Sequence, residues 1–517
     1  MKQTQALLTA LLLVLLVPLH AADLKPAAIF SDHMVLQRDK PVPVWGWADA
    51  GEKVTVEFAG ETASGIAGAD GKWMVKLDPL ASNAESREMR IAAANHSKPI
   101  VVKDVLVGEV WLGSGQSNMQ MPLKDARDFP TEKAAAKWPQ IRMVGEASKC
   151  SPIPKTDSSG QWKVCSPENV DWFSATLYFF GRELHRELKV PVGLIHSSVG
   201  GTQIESWLTE DAQARSPETK TAMEYFRKAY EKLGTPEALA EHTRQSKDFE
   251  DQVAKAIAEG LPAPKMVWGP MAQRELQGGL GHLFNGKIAP LIPYALRGMV
   301  WYQGESNASP GQAKFYQSQL SLLVGDWRAR WGEDFPFAWV QLPNFGFGSG
   351  GWPLIREAML KTLTLPHTGM AITIDIGEAD NIHPKNKQEV GRRLALWALG
   401  DVYGVKVPST SGPLPSGHEV RGSDIVISFK HADGGLVSKD GELKGFSIAG
   451  DDQQWKPAQA RIQKDQVFLS NAEVMKPVAV RYAWAANPEC NLTNAAGLPA
   501  SPFRTDDWPV SDAPAKP

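Results

Sequence analysis

The chain has 517 residues, more than one ordinary hydrophobic core holds, so its length predicts one large domain with smaller companions. A net charge of −3 without a long basic block argues against nucleic-acid binding. The three cysteines form no C-x-x-C arrangement and the histidines do not cluster, so the sequence predicts no metal site.

The first 22 residues have the organisation of a secretory signal peptide. Lys2 precedes an apolar run over residues 6–19, and the small residues Ala21 and Ala22 follow. The run is too short to predict a membrane-spanning helix. We therefore expect an exported protein, periplasmic or secreted, without membrane association after cleavage. Export would permit a disulfide between Cys150 and Cys165, a pairing that the sequence leaves open.

Residues 23–104 read as short strands separated by turns. Runs rich in aromatic and β-branched residues cover 42–47, 53–58 and 73–77, with Ala50-Gly51-Glu52 and Asp70-Gly71 between them. This spacing predicts an amino-terminal β-sandwich domain.

Residues 105–405 have a different pattern, in which buried strands alternate with helices. Continuous apolar runs at 105–112, 192–197, 298–302, 336–342 and 370–376 predict strands buried on both faces. Helical stretches at 179–188 and 315–331 lie between them. The alternation predicts an α/β layered domain whose site lies at the carboxyl ends of the strands.

Two further regions complete the predicted organisation. Residues 210–260 are rich in Ala, Glu and Lys with apolar residues at helical spacing, which predicts a helical insertion beside the sheet. From 406 to 517 short strands return at 424–429, 446–449, 466–469 and 478–484, which predicts a carboxyl-terminal β-rich domain.

Ser117 is the candidate nucleophile. It lies in a glycine-rich segment, residues 113–119, directly after the apolar strand at 105–112. Glycines there let the backbone turn sharply and present a side chain at the sheet edge. The segment is not a G-x-S-x-G elbow, and a lone serine in such a turn is most often only a turn residue.

His383 and Asp380 are the candidate base and its orienting carboxylate. They fall in Asp380-Asn381-Ile382-His383-Pro384, between a predicted strand and a helix. An Asp three residues before a His can reach the same ring and fix its tautomer. Asp375 is the alternative carboxylate, but it falls inside the predicted strand at 370–376, so Asp380 is preferred.

Donors for a developing oxyanion follow two other strands. Gly200-Gly201 comes after the strand at 192–197, and Gln303 comes after the strand at 298–302. Glycine lets a backbone N–H approach a ligand oxygen, and an amide side chain can donate to the same charge. At one sheet edge these groups would supply nucleophile, base, orienting group and oxyanion donors.

Long ordered strings in the chain resemble the SGNH (GDSL-like) hydrolases, and within them the sialate O-acetylesterase-like carbohydrate esterases. The strings are FSDHMVLQ at 30–37, VGEVW at 107–111, GQSNM at 115–119, GGTQIESW at 200–207, LFNG at 283–286, WYQGESN at 301–307 and DNIHP at 380–384. They span nearly the whole chain after the signal peptide. The resemblance implies a three-layer, flavodoxin-like parallel sheet with flanking β-sandwich domains.

The same resemblance implies roles for individual residues. Ser117, His383 and Asp380 would form a catalytic triad, and Ser117, Gly201 and Gln303 would form the oxyanion hole. Further residues would contact substrate: Gln116, Asn118, Glu305 and Asn307. The general superfamily has an Asn where this chain has Gln303-Gly304-Glu305, so at the side-chain donor this chain departs from the superfamily pattern.

The resemblance also predicts a partner, an O-acetylated carbohydrate, and a reaction that needs neither metal nor organic cofactor. The sequence sets no oligomeric state. An acetyl esterase for xylan or xyloglucan oligosaccharides is the alternative enzyme, because the triad recognises the acetyl ester while loops recognise the sugar. A non-catalytic carbohydrate-binding protein is the alternative of another class.

Overall fold

The computed structural model describes residues 23–259 and 270–510. The predicted signal peptide, the end of the predicted insertion and the last seven residues lie outside this range. Within it, no helix is both long and apolar enough to cross a bilayer.

The amino-terminal strands form two packed layers. They are β1 Lys25–Pro26, β2 Val35–Gln37, β3 Val42–Trp47, β4 Lys53–Phe58, β5 Glu61–Ile66, β6 Lys72–Leu77, β7 Asn83–Ala93 and β8 Ile100–Gly115. One layer is the antiparallel sheet β1-β3-β6, and the other contains β5-β4-β7 and the first half of β8. Residues alternate between buried and exposed along β6, so that one face of the strand joins the core between the layers.

β8 belongs to two sheets. Its first half pairs with β7 and β2, and its second half pairs with β11 (Val192–Ser198) and β12 (Gly298–Tyr302). The strand passes through residues 104 and 105, where the sequence predicts a domain boundary, without interruption. From Val105 to Gly115 every residue is buried, as the apolar run predicts.

The central sheet has six parallel strands in the order β9-β11-β8-β12-β13-β14, of which the last five form its core. The remaining strands are β9 Trp138–Gly145, β10 Trp162–Cys165, β13 Phe337–Val340 and β14 Thr368–Ala371. Numbered along the chain, the five core strands run 2-1-3-4-5, and β9 (parallel) with β10 (antiparallel) extends the β11 edge. The strand that follows β8 among the five, β11, lies on one side of it, and the next, β12, lies on the other. The topological switch point of the sheet is therefore at the carboxyl end of β8.

Helices cover both faces of this sheet. They are α1 Ser117–Gln120, α2 Phe129–Ala135, α3 Ala175–Leu188, α4 Glu210–Gln213, α5 Pro217–Lys232, α6 Pro236–Ala258, α7 Pro270–Gln277, α8 Pro310–Ala313, α9 Tyr316–Trp331, α10 Trp352–Thr362 and α11 Lys387–Trp397. α3 and α11 share one core with the sheet, and α9 and α10 share the other. α4, α5 and α6 occupy the predicted insertion, where Met223 and Phe226 pack against Leu280.

β14 is shorter than predicted. The apolar run suggests a strand to residue 376, but β14 ends at Ala371, opposite the last residue of β13, Val340. β14 is the edge strand, so beyond Val340 no partner strand continues the ladder. Asp375 therefore lies in a turn and not in a strand, which corrects the expectation.

The carboxyl-terminal strands also form a β-rich unit. They are β15 Leu414–Arg421, β16 Asp424–Lys430, β17 Leu436–Ser438, β18 Phe446–Ala449, β19 Lys456–Pro457, β20 Gln459–Gln463, β21 Gln466–Ser470, β22 Ala479–Tyr482, β23 Leu492–Asn494 and β24 Phe503–Arg504. Two four-stranded sheets, β15-β16-β21-β20 and β19-β18-β22-β24, enclose a shared apolar core.

The three cysteines are free, so the Cys150–Cys165 disulfide that export would permit is not formed. Cys165 is buried in the core beneath α3 with its Sγ toward the carbonyl of Ala136. Cys150 instead directs its thiol to the carbonyl of Glu275.

Candidate active site

Ser117 follows the turn at the end of β8. Gly115 has φ +135°, and a Cβ placed on it would lie 2.2 Å from the carbonyl oxygen of Tyr302, so only glycine fits. The amide of Gln116 then donates to the same carbonyl at 2.9 Å. Ser117 begins the single turn of α1, half-buried, at the sheet's switch point.

His383 contacts the Ser117 side chain directly. Its Nε2 lies 2.8 Å from Ser117 Oγ, within range for the hydroxyl to donate to a neutral imidazole. The residue lies in the turn between β14 and α11, where its amide donates to Asn381 Oδ1. Burial lowers the pKa of His383 below its ordinary value, and the charge of Lys387 lowers it further. The predicted nucleophile and base are therefore brought together.

Asp380 does not contact His383. The residue is exposed, and among residues 23–259 and 270–510 its carboxylate makes no hydrogen bond or ion pair. The neighbouring Glu378 is committed elsewhere, since its oxygens accept from the Lys385 amide and from Asn381 Nδ2. The pairing of Asp380 with the imidazole, expected from the motif, is thus absent from this geometry.

Asp375 is committed to a different partner. Arg393 on α11 binds both of its oxygens, Nη1 to Oδ1 at 2.6 Å and Nη2 to Oδ2 at 2.8 Å. The same guanidinium also donates to the carbonyl of Ile372. Asp375 is therefore a structural residue that attaches α11 to the turn after β14.

The backbone N–H groups of Ser117 and Gly201 remain candidates for the oxyanion hole. Within the described parts of the chain, no acceptor binds the N–H of Ser117. The Gly200-Gly201 turn lies against Ser117, since a Cβ placed on Gly200 would be 3.3 Å from Ser117 Cβ. Gly201 has φ +72°, a backbone conformation that favours glycine.

Gln303 does not fit its predicted role as an oxyanion donor. Its side chain is fully buried, and its Nε2 donates both hydrogens, to the carbonyl of Thr202 at 3.1 Å and to Asn307 Oδ1 at 2.8 Å. Its Oε1 accepts from the hydroxyl of Tyr316. A donor with both hydrogens committed cannot serve an oxyanion without losing one of these bonds.

Of the four predicted substrate contacts, Glu305 is half-buried and the other three are buried. Asn307 is fully buried between Glu205 and the amide of Ile204. Gln116 Oε1 accepts from the amide of Ser306 at 3.3 Å, which ties the end of β8 to the loop after β12. Asn118 donates to Glu305 Oε1 at 2.6 Å, so these two bind each other. Polar residues after the strands thus join the loops to one another here.

Similarity to known proteins agrees with this site. Residues 285–399 match the family model described as carbohydrate esterase, sialic acid-specific acetylesterase. The chain is 29% identical to sialate O-acetylesterase of Mus musculus and 28% identical to that of Homo sapiens, each alignment covering 92% of this chain and 93% or 91% of the relative. A crystal structure of a carbohydrate acetylesterase from Xanthomonas citri matches with a TM-score of 0.79 and 35% identity, over 94% of this chain and 100% of that one. The chain belongs to this family of carbohydrate esterases.

The family match covers only part of the catalytic centre. Residues 285–399 include Gln303, Glu305, Asp380 and His383, while Ser117 lies far outside them. The assignment of the nucleophile in this esterase therefore depends on the 2.8 Å contact with His383.

Sequence reasoning missed Lys387 in the esterase's site. This lysine opens α11, four residues after His383, and its side chain is fully buried. Its Nζ donates to Asn118 Oδ1 at 2.6 Å and lies 5.2 Å from the ring centre of Tyr302. Nothing in the local sequence separates it from the exposed Lys385, because only the fold determines which lysine points inward.

Proposed function

We propose that the chain is an exported serine esterase that removes O-acetyl groups from carbohydrates, with O-acetylated sialic acid as the first candidate substrate. The observation that carries the proposal is the Ser117–His383 hydrogen bond at the switch point of the sheet. A non-catalytic carbohydrate-binding protein would need no such hydroxyl–imidazole pair. The similarity to sialate O-acetylesterases supports sialic acid as the sugar of the substrate. The apolar run at 6–19 supports export.

The proposed reaction has two halves. In the first, His383 Nε2 takes the proton of Ser117 Oγ as that oxygen attacks the acetyl carbonyl carbon. The carbonyl electron pair moves to oxygen, where the N–H groups of Ser117 and Gly201 stabilise it. Collapse breaks the bond to the sugar oxygen, which leaves with the proton from His383.

In the second half, water replaces the sugar. His383 takes a proton from water as its oxygen attacks the acetyl group on Ser117. Cleavage of the ester bond returns a proton to Ser117 Oγ and releases acetate. The groups that these steps require are all supplied by the chain and water.

Asp380 belongs to the proposal as the group that orients His383. It lies three residues before the imidazole in the same turn, and its carboxylate is uncommitted within the described chain. A change of its rotamer toward the ring would fix the tautomer that leaves Nε2 free to accept a proton.

The SGNH type of three-layer fold is the architecture that we propose for the catalytic unit. The 2-1-3-4-5 order of the core strands, with helix pairs on both faces, supports it.

The test is acetate release from O-acetylated sialic acid and from acetylated xylan oligosaccharides, with Ser117→Ala as the paired variant. We expect release from the sialic acid ester, reduced at least about 10³-fold in Ser117→Ala with an unchanged melting temperature. EDTA should leave the rate unchanged. Preference for the xylan substrate would replace the sugar assignment, and near-normal activity of Ser117→Ala would refute the mechanism.

A further inference from the structure

The side chain of Asn118 joins the two halves of the catalytic pair. Its Nδ2 donates to the carbonyl of Ile382 at 3.0 Å and to Glu305 Oε1 at 2.6 Å, and its Oδ1 accepts from Lys387 Nζ. Asn118 directly follows Ser117, and Ile382 directly precedes His383. One fully buried amide thus fixes the segment carrying the nucleophile to the segment carrying the base.

Lys387 is the charged end of this connection. Its ammonium has three donors, but within the described chain Asn118 Oδ1 is its only hydrogen-bond acceptor. The face of the Tyr302 ring provides a second, weaker contact. Burial lowers the pKa of Lys387 to about 7, although Glu305 and Glu378 act in the opposite direction.

Glu305 completes the cluster on the other side of Asn118. Its Oε1 accepts from Asn118, while its Oε2 is shielded from solvent and has no partner in the described structure. Burial raises the pKa of this carboxyl group above its ordinary value. Burying an amide, an ammonium and a carboxyl group is costly unless they are hydrogen-bonded or paired, so the two contacts through Asn118 stabilise this cluster.

We propose that Lys387 is a positioning residue of the esterase, which through Asn118 holds Ser117 against His383. This inference rests on the proposed function, because it concerns the same pair. Lys387 itself touches neither Ser117 nor His383 through a hydrogen bond.

The charge acts in one direction on the pH profile. The charged group that acts on His383 is Lys387 from α11, and Glu305 from the loop after β12 and Glu378 from the turn of His383 act in turn on Lys387. Because the pKa of His383 is lowered, its imidazole stays neutral and active at pH values below the ordinary histidine pKa of about 6.5. Activity should therefore be lost on acidification at a lower pH than an isolated histidine would give.

Acetate release from 4-nitrophenyl acetate, a small ester without a sugar, isolates this effect from carbohydrate binding. In wild type the acid midpoint of kcat/KM should lie below about 6.5. Lys387→Met and Lys387→Gln should each raise it by about 0.5–1 pH unit, because both remove the charge. Lys387→Gln keeps an amide donor for Asn118 and should retain more kcat than Lys387→Met, which we expect to lose about tenfold.

Lys385→Met is the matched control, since it removes an exposed positive charge two residues away and should leave the midpoint in place. Folded Lys387 variants with the wild-type midpoint would overturn the proposal. Absence of acetate release by wild type, in contrast, would reject the proposed function itself.

Discussion

Asp380 and Asp375 lie five residues apart in one turn region and make different contacts. Asp380 is exposed beside the base, while Asp375 holds Arg393. We expect Asp380→Asn to reduce kcat by about 10²–10⁴-fold with little change in melting temperature, because the amide favours the wrong imidazole tautomer. Steady-state kinetics and thermal melts on the same preparations measure both effects.

The companion variant, Asp375→Asn, should behave in the opposite way. The substitution removes the charge that pairs with the mostly buried Arg393, so the interaction between the two side chains weakens. We expect the free energy of unfolding to fall by about 1–2 kcal/mol, with kcat largely retained. A stable Asp375→Asn enzyme that loses more kcat than Asp380→Asn would exchange their assignments.

Individual residues were predictable where backbone geometry required them. Ser117 and His383 follow from a glycine-rich strand end and a short turn, and the structure places them 2.8 Å apart. The sequence predicts that Gln303 donates to the oxyanion, but both hydrogens of its amide are donated to acceptors within the protein. The sequence predicts which polar side chains follow a strand, but not which of them point inward and form hydrogen bonds with neighbouring loops.

At the scale of elements, α3 and α11 pack closely through a glycine. A Cβ placed on Gly391 would lie 2.5 Å from Phe179 Cβ and 2.6 Å from the backbone nitrogen of Phe180. Gly391→Ala should therefore separate the two helices and destabilise the protein by about 1–3 kcal/mol. Because α11 begins at Lys387, we also expect a lower kcat. Denaturant unfolding and acetate release measure the two effects.

Gly325 on α9 provides the matched control. It is exposed, and a Cβ there would meet nothing within 4 Å. Gly325→Ala should stabilise by about 0.5–1 kcal/mol, because alanine loses less backbone entropy in a helix. Equal effects of the two substitutions would mean that the α3–α11 contact is not as tight as described.

Element types followed well from the pattern, and element ends less well. The strand predicted at 298–302 coincides with β12, because an apolar β-branched and aromatic run lies there between paired neighbours. β14 ends before the apolar run does, because a strand needs a partner and β13 stops at Val340. Periodicity reports which residues seek burial, whereas the ladder decides where a strand ends.

At the scale of the whole molecule, Arg356 connects the catalytic unit to the carboxyl-terminal unit. Its fully buried guanidinium on α10 donates to the carbonyls of Leu342 and Pro343 on one side and Ala485 and Ala486 on the other. We expect Arg356→Met to lower the free energy of unfolding by about 2–5 kcal/mol, since four carbonyls each lose one hydrogen bond. Thermal and denaturant melts measure the loss.

Activity should fall as well, through kcat more than KM. The loop after β13 binds Ala486 through the amide of Phe345 and binds Ala379 through the amide of Gly346, next to the turn of His383. Arg461→Met, which removes an exposed arginine from the same carboxyl-terminal unit, should stay within about 0.5 kcal/mol of wild type. Comparable losses in both variants would contradict a special role for Arg356.

The uninterrupted course of β8 has a consequence for how such a chain can change during evolution. A gene fusion that exchanged the amino-terminal layers at residue 104 would have to join two chains inside a hydrogen-bonded strand that continues to Gly115, two residues before Ser117. A one-residue mismatch in register there would move every following side chain of the strand to the opposite face. The carboxyl-terminal unit begins after a loop between Val402 and Leu414, where a junction disturbs no ladder. The carboxyl-terminal unit can therefore be exchanged at a loop, whereas the amino-terminal layers are inherited together with the strand that leads to Ser117.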